Sequence, residues 1–318
     1  MASRSSPEAV ERSGPSTALG AEDDLLDAAF LDRLRALFVQ LRRRRRQRKQ
    51  GAQQAPAAGH TREFKDHRHY SRGDDWRAID WRLYARLDKL FIRVFEEIQE
   101  LHVHVLLDRS ASMIEPYPAK RREALRLTVG LGFLALANNH RLSFHTLGDD
   151  CHRELPPLKG QGHVQALVDR CRAIPFAGSG DLDAALARFR AGADRRGVAF
   201  VITDGLGSDP SRTTEALRRL GAWPGETHVV RIADPAEAEP APAGELLLEA
   251  VEGGERRRIW LTATEQQQYR DRYRAWADEV ERSCTASSMV CSTWSTAIPF
   301  DTQFVDLLSR GDALSGGR

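Results

Sequence analysis

Short apolar runs alternate with amphipathic stretches along most of the chain. Leu101 to Leu107 and Gly197 to Thr203 are runs of the kind that form buried strands, and Lys120 to Asn138 carries apolar residues at helical spacing. Further strands are predicted over 141–147, 227–232 and 292–298, further helices over 164–174, 181–190, 212–220 and 264–283, and an edge hairpin over 245–251 and 256–261. Such alternation is typical of a mostly parallel sheet with helices on both faces. The sequence therefore predicts a three-layer, Rossmann-like α/β domain over residues 99–318.

Three segments precede this domain and differ from it in composition. Residues 1–21 are predicted to be a disordered tail, residues 22–59 an amphipathic helix with a basic block and a linker, and residues 60–98 a separate segment rich in arginine and aspartate. The basic block consists of Arg42 to Arg46, Arg48 and Lys49. Two interpretations of this block remain open: a solvated end of the helix, or peripheral contact with an anionic surface. Because no aromatic side chains are interleaved to stack on bases, nucleic acid is not an expected partner.

The overall composition is that of a soluble globular protein. The chain has 318 residues, of which 29% are charged and 41% hydrophobic, and its net charge is +2. No segment approaches the ~18 consecutive apolar residues that a membrane-spanning helix needs. The four cysteines show no CxxC spacing, which indicates reduced thiols. We therefore expect a cytoplasmic protein without a transmembrane segment.

Polar side chains follow two of the predicted strands directly. Asp108, Ser110 and Ser112 end the stretch VHVLLDRSASM, and Asp204 ends the stretch VAFVITD. Ligands of parallel sheets bind beyond the carboxyl ends of the strands. Hydroxyl and carboxylate oxygens suit Mg²⁺, and a cation would offset the repulsion between two carboxylates if these strands are neighbours. The sequence therefore predicts a shared magnesium site at one edge of the sheet.

The sequence offers little support for a catalytic site at the same edge. The chain has neither a Walker A loop nor a G-x-S-x-G nucleophile elbow. A metal-dependent hydrolase remains the alternative, with Asp209 or His145 as the general base that would activate water. His102 and His104 fall on one face of the first strand and are predicted to be structural imidazoles.

The D-x-S-x-S motif and the distant aspartate resemble the metal-ion-dependent adhesion site of von Willebrand factor A domains. Asp108, Ser110 and Ser112 match the first element of that site, and Asp204 matches the aspartate that follows the fourth strand. In that family a loop threonine is also a ligand. This chain reads GSGDL there, with Gly180 at the threonine position and Ser179 as the neighbouring hydroxyl. The resemblance implies a von Willebrand A-type domain whose Mg²⁺ site is weakened by Gly180.

A second resemblance rests on the segment from residue 64 to residue 97. It matches the pattern R-x-Y-x-x-G-D-D-x-R-x-I-D-W-x-x-x-A-R of a bacterial family called domain of unknown function fifty-eight. Its local features predict a turn over residues 71–73, a short helix capped by Asp74 or Asp75, and a strand over residues 90–95. Trp76 and Trp81 are expected to pack within a network of arginine and aspartate ion pairs.

Membership in that family implies a function. Its members carry a von Willebrand A-like domain and are often encoded beside MoxR-type AAA+ ATPases. The resemblance therefore implies a non-enzymatic protein-binding or adaptor module that partners such an ATPase. The residues expected to bind the partner are eight of those that match the signature: Arg68, Tyr70, Asp74, Asp75, Arg77, Asp80, Trp81 and Arg86.

Overall fold

A computed structural model describes residues 26–49, 62–97, 100–178, 180–192, 197–206, 210–251 and 255–310. The helices of this part are α1 (Ala28–Lys49), α2 (Trp81–Leu87), α3 (Ala119–Ala137), α4 (Val164–Arg172), α5 (Leu182–Gly192), α6 (Pro210–Leu220), α7 (Ala263–Ala286) and α8 (Phe300–Arg310). The strands are β1 (Arg62–His69), β2 (Phe91–Glu97), β3 (His102–Asp108), β4 (Arg141–Leu147), β5 (Cys151–Arg153), β6 (Leu158–Lys159), β7 (Val198–Thr203), β8 (Glu226–Ala233), β9 (Gly244–Glu249), β10 (Arg256–Leu261) and β11 (Val290–Ser295). None of the described helices is both long enough and apolar enough to cross a membrane.

A seven-stranded sheet forms the centre of the molecule. Its strands follow the order β11-β8-β7-β3-β4-β5, and β6 also pairs with β4. All of these pairs are parallel except those that β5 and β6 make with β4. The chain runs from β3 to β4 on one side and later returns to β7 on the other. The carboxyl end of β3 therefore lies at the point where the strand order reverses, which is where such sheets bind ligands.

Helices cover both faces of this sheet, which confirms the predicted three-layer α/β architecture. Successive β3 side chains point to opposite faces, so that Val105 and Leu107 join one core cluster and Leu106 joins the other. The first cluster contains residues of α1, α3, α4 and α8, and the second contains residues of α5, α6 and α7. Nearly all apolar side chains of β3, β4 and β7 are buried, as expected for strands inside a parallel sheet.

Most predicted elements are present within a few residues of their expected ends. The predicted hairpin exists as the pair β9 and β10, which forms a sheet of its own rather than an edge of the central sheet. The sequence interpretation missed β1, β5, β6 and α8. The strands β5 and β6 have only three and two residues, which is too short for a detectable alternation. For α8, the interpretation stopped at the strand that precedes it.

The N-terminal helix belongs to the hydrophobic core. Phe30 and Phe38 of α1 are buried, and their rings lie edge-to-face against Phe300 at 5.2 Å and Phe133 at 5.9 Å between centroids. The predicted division of the chain into four segments stays a prediction. The side chains of the basic block, and the predicted tail, lie outside the described residues.

Candidate site at the carboxyl edge of the sheet

The structure brings Asp108, Ser110, Ser112 and Asp204 together at one edge of the sheet. Asp108 ends β3, and Asp204 follows Thr203 at the end of the adjacent strand β7. One Asp108 carboxylate oxygen, Oδ2, accepts a 2.6 Å hydrogen bond from the Thr203 hydroxyl. The other, Oδ1, accepts a 2.9 Å bond from the Ser110 backbone N–H. Ser179, the remaining predicted ligand, lies outside the described residues.

The two serines present their hydroxyl groups to one another. Ser110 is followed by a short 3₁₀ turn, Ala111–Met113, and this turn brings the Oγ atoms of Ser110 and Ser112 to 3.1 Å. Both side chains are buried. The two serines, spaced two residues apart, therefore bring two hydroxyl groups together beside the carboxylate of Asp108, as the sequence predicted.

Two carboxyl groups, those of Asp108 and Asp204, are buried near one another at this edge. Burial, and secondly the neighbouring carboxylate of Asp204, raise the pKa of Asp108 to about 6. The hydrogen bonds from Thr203 and Ser110 act in the opposite direction but are outweighed. The predicted repulsion between the two carboxylates is therefore present in the folded protein.

Asp204 has a partner that the sequence interpretation missed. Its Oδ2 atom lies 2.8 Å from the ammonium nitrogen of Lys120, and its Oδ1 atom accepts a 2.9 Å bond from the Leu206 N–H. The same ammonium nitrogen lies 2.5 Å from Oε1 of Glu237. Burial alone would lower the pKa of Lys120, but the carboxylates of Asp204 and Glu237 outweigh it and raise that pKa.

One signal in the sequence could have pointed to Lys120. It precedes Ala124, Leu127 and Leu131 at helical spacings of four, seven and eleven, so it falls on the apolar face of α3. A lysine on such a face is buried, and a buried lysine needs an acidic partner. The sequence does not tell which of the many acidic residues that partner is.

The edge suits a divalent cation only in part. Asp108, Ser110 and Ser112 offer the oxygen ligands that Mg²⁺ prefers. Asp204, however, is already paired through Oδ2 with the ammonium group of Lys120. Gly180 does face the site, since a Cβ added there would lie 3.0 Å from the Ser110 Cβ and 3.8 Å from Oδ1 of Asp108. Within the described residues, no cluster of three or more His, Cys, Asp or Glu side chains could hold a metal.

Two aspartates of the arginine-rich segment cap short helices within that segment. Asp75 accepts from the Arg77 N–H at 2.9 Å and caps the 3₁₀ helix Trp76–Ala78. Asp80 caps α2 by accepting from the Arg82 and Leu83 N–H groups at 3.0 and 3.1 Å. The predicted cap by Asp75 is thus present, and a second cap by Asp80 was not expected.

Some of the remaining signature residues make hydrogen bonds within the segment, and others are exposed to solvent. Asp74 pairs with the Arg68 guanidinium at 2.7 Å and accepts from the Ser71 N–H at 2.8 Å. Tyr70 is half-buried, whereas Arg77 and Arg86 are exposed. The expectation that Trp76 and Trp81 pack within an ion-pair network was wrong, because their side chains are 63% and 58% exposed.

Three histidines of β3 and β4 form a cluster in which His104 and His145 are buried and His102 is half-buried. The rings of His102 and His104 stack at 4.0 Å, and Nδ1 of His104 lies 3.5 Å from Nε2 of His145. Burial foremost lowers the pKa of His145 to about 4, and its Nδ1 atom contacts the Cys151 sulfur at 3.8 Å. These contacts are structural and add no support to His145 as a general base. Asp209, the other candidate base, lies outside the described residues.

The strand order and the two helical layers define a three-layer α/β domain, with the D-x-S-x-S motif at the carboxyl edge of its sheet. The family model described as "Protein of unknown function DUF58" matches residues 66–283, and the chain belongs to this family. An uncharacterized protein of Mycobacterium tuberculosis (strain ATCC 25618 / H37Rv) is 28% identical over 190 residues, or 58% of this chain. The match spans 59% of that relative's own length.

Two bacterial proteins are among the solved structures to which the chain is similar. The conserved hypothetical protein BatB from Bacteroides thetaiotaomicron is 13% identical with a TM-score of 0.39, and the alignment covers 66% of this chain and 98% of that one. The von Willebrand factor type A protein from Catenulispora acidiphila is 14% identical with a TM-score of 0.35, covering 62% and 43% of the two chains. Similarities this low transfer no function.

Proposed function

We propose that this chain is a non-enzymatic protein-binding module that presents the α2 stripe to a protein partner. The α2 stripe consists of Trp81, Tyr84 and Leu87, which follow one another at a spacing of three on α2 and therefore share a face. The observation that supports the proposal most strongly is the exposure of all three side chains on a helix that is firmly capped. Trp76, just upstream, is exposed as well.

Exposed aromatic side chains on an ordered element favour a binding surface over a solvated one. Tryptophan and tyrosine are enriched among the residues that dominate protein–protein affinity. Arginine side chains surround the stripe, namely the exposed Arg77, Arg82 and Arg86. A partner suited to this surface has an apolar pocket with an acidic rim. We propose that the partner is a MoxR-type AAA+ ATPase and that the two proteins meet in the cytoplasm, where the free thiols of Cys151, Cys171, Cys284 and Cys291 would stay reduced.

The carboxyl edge of the sheet is the second part of the proposed interface. Asp108, Ser110 and Ser112 would hold Mg²⁺, because their oxygens lie close together at the carboxyl end of β3. When bound, the ion would offer an open coordination position to a carboxylate of the partner. The residues themselves orient that contact, since Thr203 and the Ser110 N–H fix both oxygens of Asp108.

Binding of the full chain to a MoxR-type ATPase of the source organism tests this function. Trp81→Ala should weaken the dissociation constant about 30-fold, the loss typical of a central aromatic anchor. Trp260→Ala is the matched control, because Trp260 lies on β10 and is 69% exposed. If both variants bind as the wild type does, or if the wild type does not bind, the proposal fails.

The magnesium part is tested separately, with EDTA and with Asp108→Ala. Removal of divalent cations should weaken partner binding, and Asp108→Ala should weaken it to the same level and abolish the response to EDTA. Unchanged affinity in EDTA would remove Mg²⁺ from the proposal and leave the α2 stripe as the sole binding surface.

A further inference from the structure

A lysine ammonium group is buried at the carboxyl edge of the sheet. The side chain of Lys120 is 1% exposed, and its nitrogen lies 2.8 Å from Asp204 and 2.5 Å from Glu237. Lysine is almost never fully buried unless it is paired, because its charge loses the stabilisation that water provides. Two carboxylates around one ammonium ion therefore form a built feature of this edge.

Separate elements hold the three groups in place. Lys120 comes from the first turn of α3, Asp204 from the end of β7, and Glu237 from the 3₁₀ helix Pro235–Ala238 that follows β8. Glu237 is fixed by its second oxygen, which accepts from the Asp234 N–H at 3.2 Å and from the Tyr273 hydroxyl at 3.4 Å. Both oxygens of Asp204 are fixed in the same way, by Lys120 and by the Leu206 N–H. The ammonium group is thus held from several sides.

We infer that Lys120 is the resident cation of this edge, which neutralises Asp204 and withholds it from any divalent ion. The position of its ammonium nitrogen satisfies the Asp204 oxygen that a bound cation would otherwise use. Asp108 and its serines are then the only predicted ligands in the described residues whose oxygens lie free of an ammonium partner. Lys120, rather than the absent threonine alone, sets the affinity of the site for Mg²⁺ and similar hard cations.

Removal of this charge should convert the edge into a stronger metal site. Lys120→Met keeps an unbranched side chain of similar length but leaves Asp204 and Glu237 without their cation. Oxygen-seeking cations such as Mg²⁺ and Mn²⁺ would then find the carboxylates of Asp204 and Glu237 without an ammonium partner. Lys159→Met is the matched control, since Lys159 pairs with Glu100 at 2.7 Å but is partly exposed and lies on β6.

Isothermal titration of Mn²⁺ and of Mg²⁺ into the full-length proteins is the primary test. Lys120→Met should bind about tenfold more tightly than the wild type, and its melting temperature should rise on addition of the ion. Lys159→Met should behave as the wild type does. Asp204→Asn added to Lys120→Met should remove the gain. Equal affinities of Lys120→Met and the wild type, or a gain that survives Asp204→Asn, would overturn the inference.

A second variant keeps the test decisive if Lys120→Met does not fold. The double variant Lys120→Met/Glu237→Gln removes one positive and one negative charge together, and it should still bind Mn²⁺ more tightly than the wild type through Asp204. No gain in this folded variant would also overturn the inference. These titrations contain no protein partner, so their outcome is independent of whether the proposed binding function holds.

Discussion

Gly180 occupies the position at which the resemblance to von Willebrand A domains would place a threonine, and its backbone conformation favours glycine there. Its φ of +40° lies in the left-handed region, and an added Cβ would meet the Ser110 Cβ at 3.0 Å. A β-branched residue is strained in that region whatever the surrounding space. The loop is therefore built for glycine.

Gly180→Thr should accordingly destabilise the protein instead of restoring a metal ligand. We expect a loss of about 1–2 kcal/mol from backbone strain, and more from crowding of Ser110. Gly180→Ala separates the two effects, because alanine takes the same backbone φ of +40° but lacks the branched atoms that would crowd Ser110 further. Urea unfolding of both variants should show the larger loss for Gly180→Thr. A Gly180→Thr protein of wild-type stability that binds Mg²⁺ more tightly would contradict this account.

At the scale of elements, α1 is a structural part of the α/β domain. The side chain of Phe30 is 1% exposed, its ring lies against Phe300, and the Arg126 guanidinium lies 5.4 Å from the ring centroid. The sequence predicted the helix from its own periodicity but gave no indication of what it packs against. Its apolar face covers α3 and α8.

Truncation of Phe30 tests this packing. Phe30→Ala should lower the free energy of unfolding by about 3–5 kcal/mol, the usual cost of removing a buried aromatic ring. Val39→Ala serves as the control on the same helix, since Val39 is 48% exposed, and should cost at most about 0.5 kcal/mol. Chemical unfolding followed by tryptophan fluorescence gives both values. Equal, small losses would mean that α1 does not dock on the domain.

At the scale of the whole molecule, two buried histidines connect stability to pH. Burial foremost, and secondly the charges of His102 and His145, lower the pKa of His104 to about 3, and burial lowers the pKa of His145 to about 4. Arg153 acts in the same direction on both rings. Both histidines are therefore neutral in the folded protein and would take up protons on unfolding once the pH falls below their ordinary pKa of about 6.5.

The contribution of these two histidines to stability should consequently be complete above pH 6.5 and decline as the pH falls toward 4. One such histidine accounts for roughly 2 kcal/mol between pH 7 and pH 5. His104→Phe, which suits the ring cluster of His102, Phe189 and Trp223, should reduce this decline by a similar amount. Unfolding free energies of the wild type and the variant at the two pH values provide the comparison. An equal decline in both proteins would show that His104 does not titrate on unfolding.

The sequence by itself determined the layered architecture and located the aspartates and serines at the carboxyl edge of the sheet. Alternating apolar runs and amphipathic helices record which faces are buried, and this information is local because each period spans only a few residues. Asp108 and Asp204 could be located because each directly follows a strand, and parallel strands end at a common edge. The two serines followed from the same local spacing.

Tertiary structure alone decided what those residues contact. Lys120 is 84 residues from Asp204 and 117 residues from Glu237, so no local pattern joins them. The exposure of Trp76 and Trp81 could not be predicted either, because a tryptophan among charged residues has the same sequence pattern whether it is buried or exposed. Such pairings depend on how strands and helices from distant parts of the chain are stacked. That stacking places an ammonium group beside Asp204, one of the two carboxylates that the sequence pattern predicted to share a metal ion.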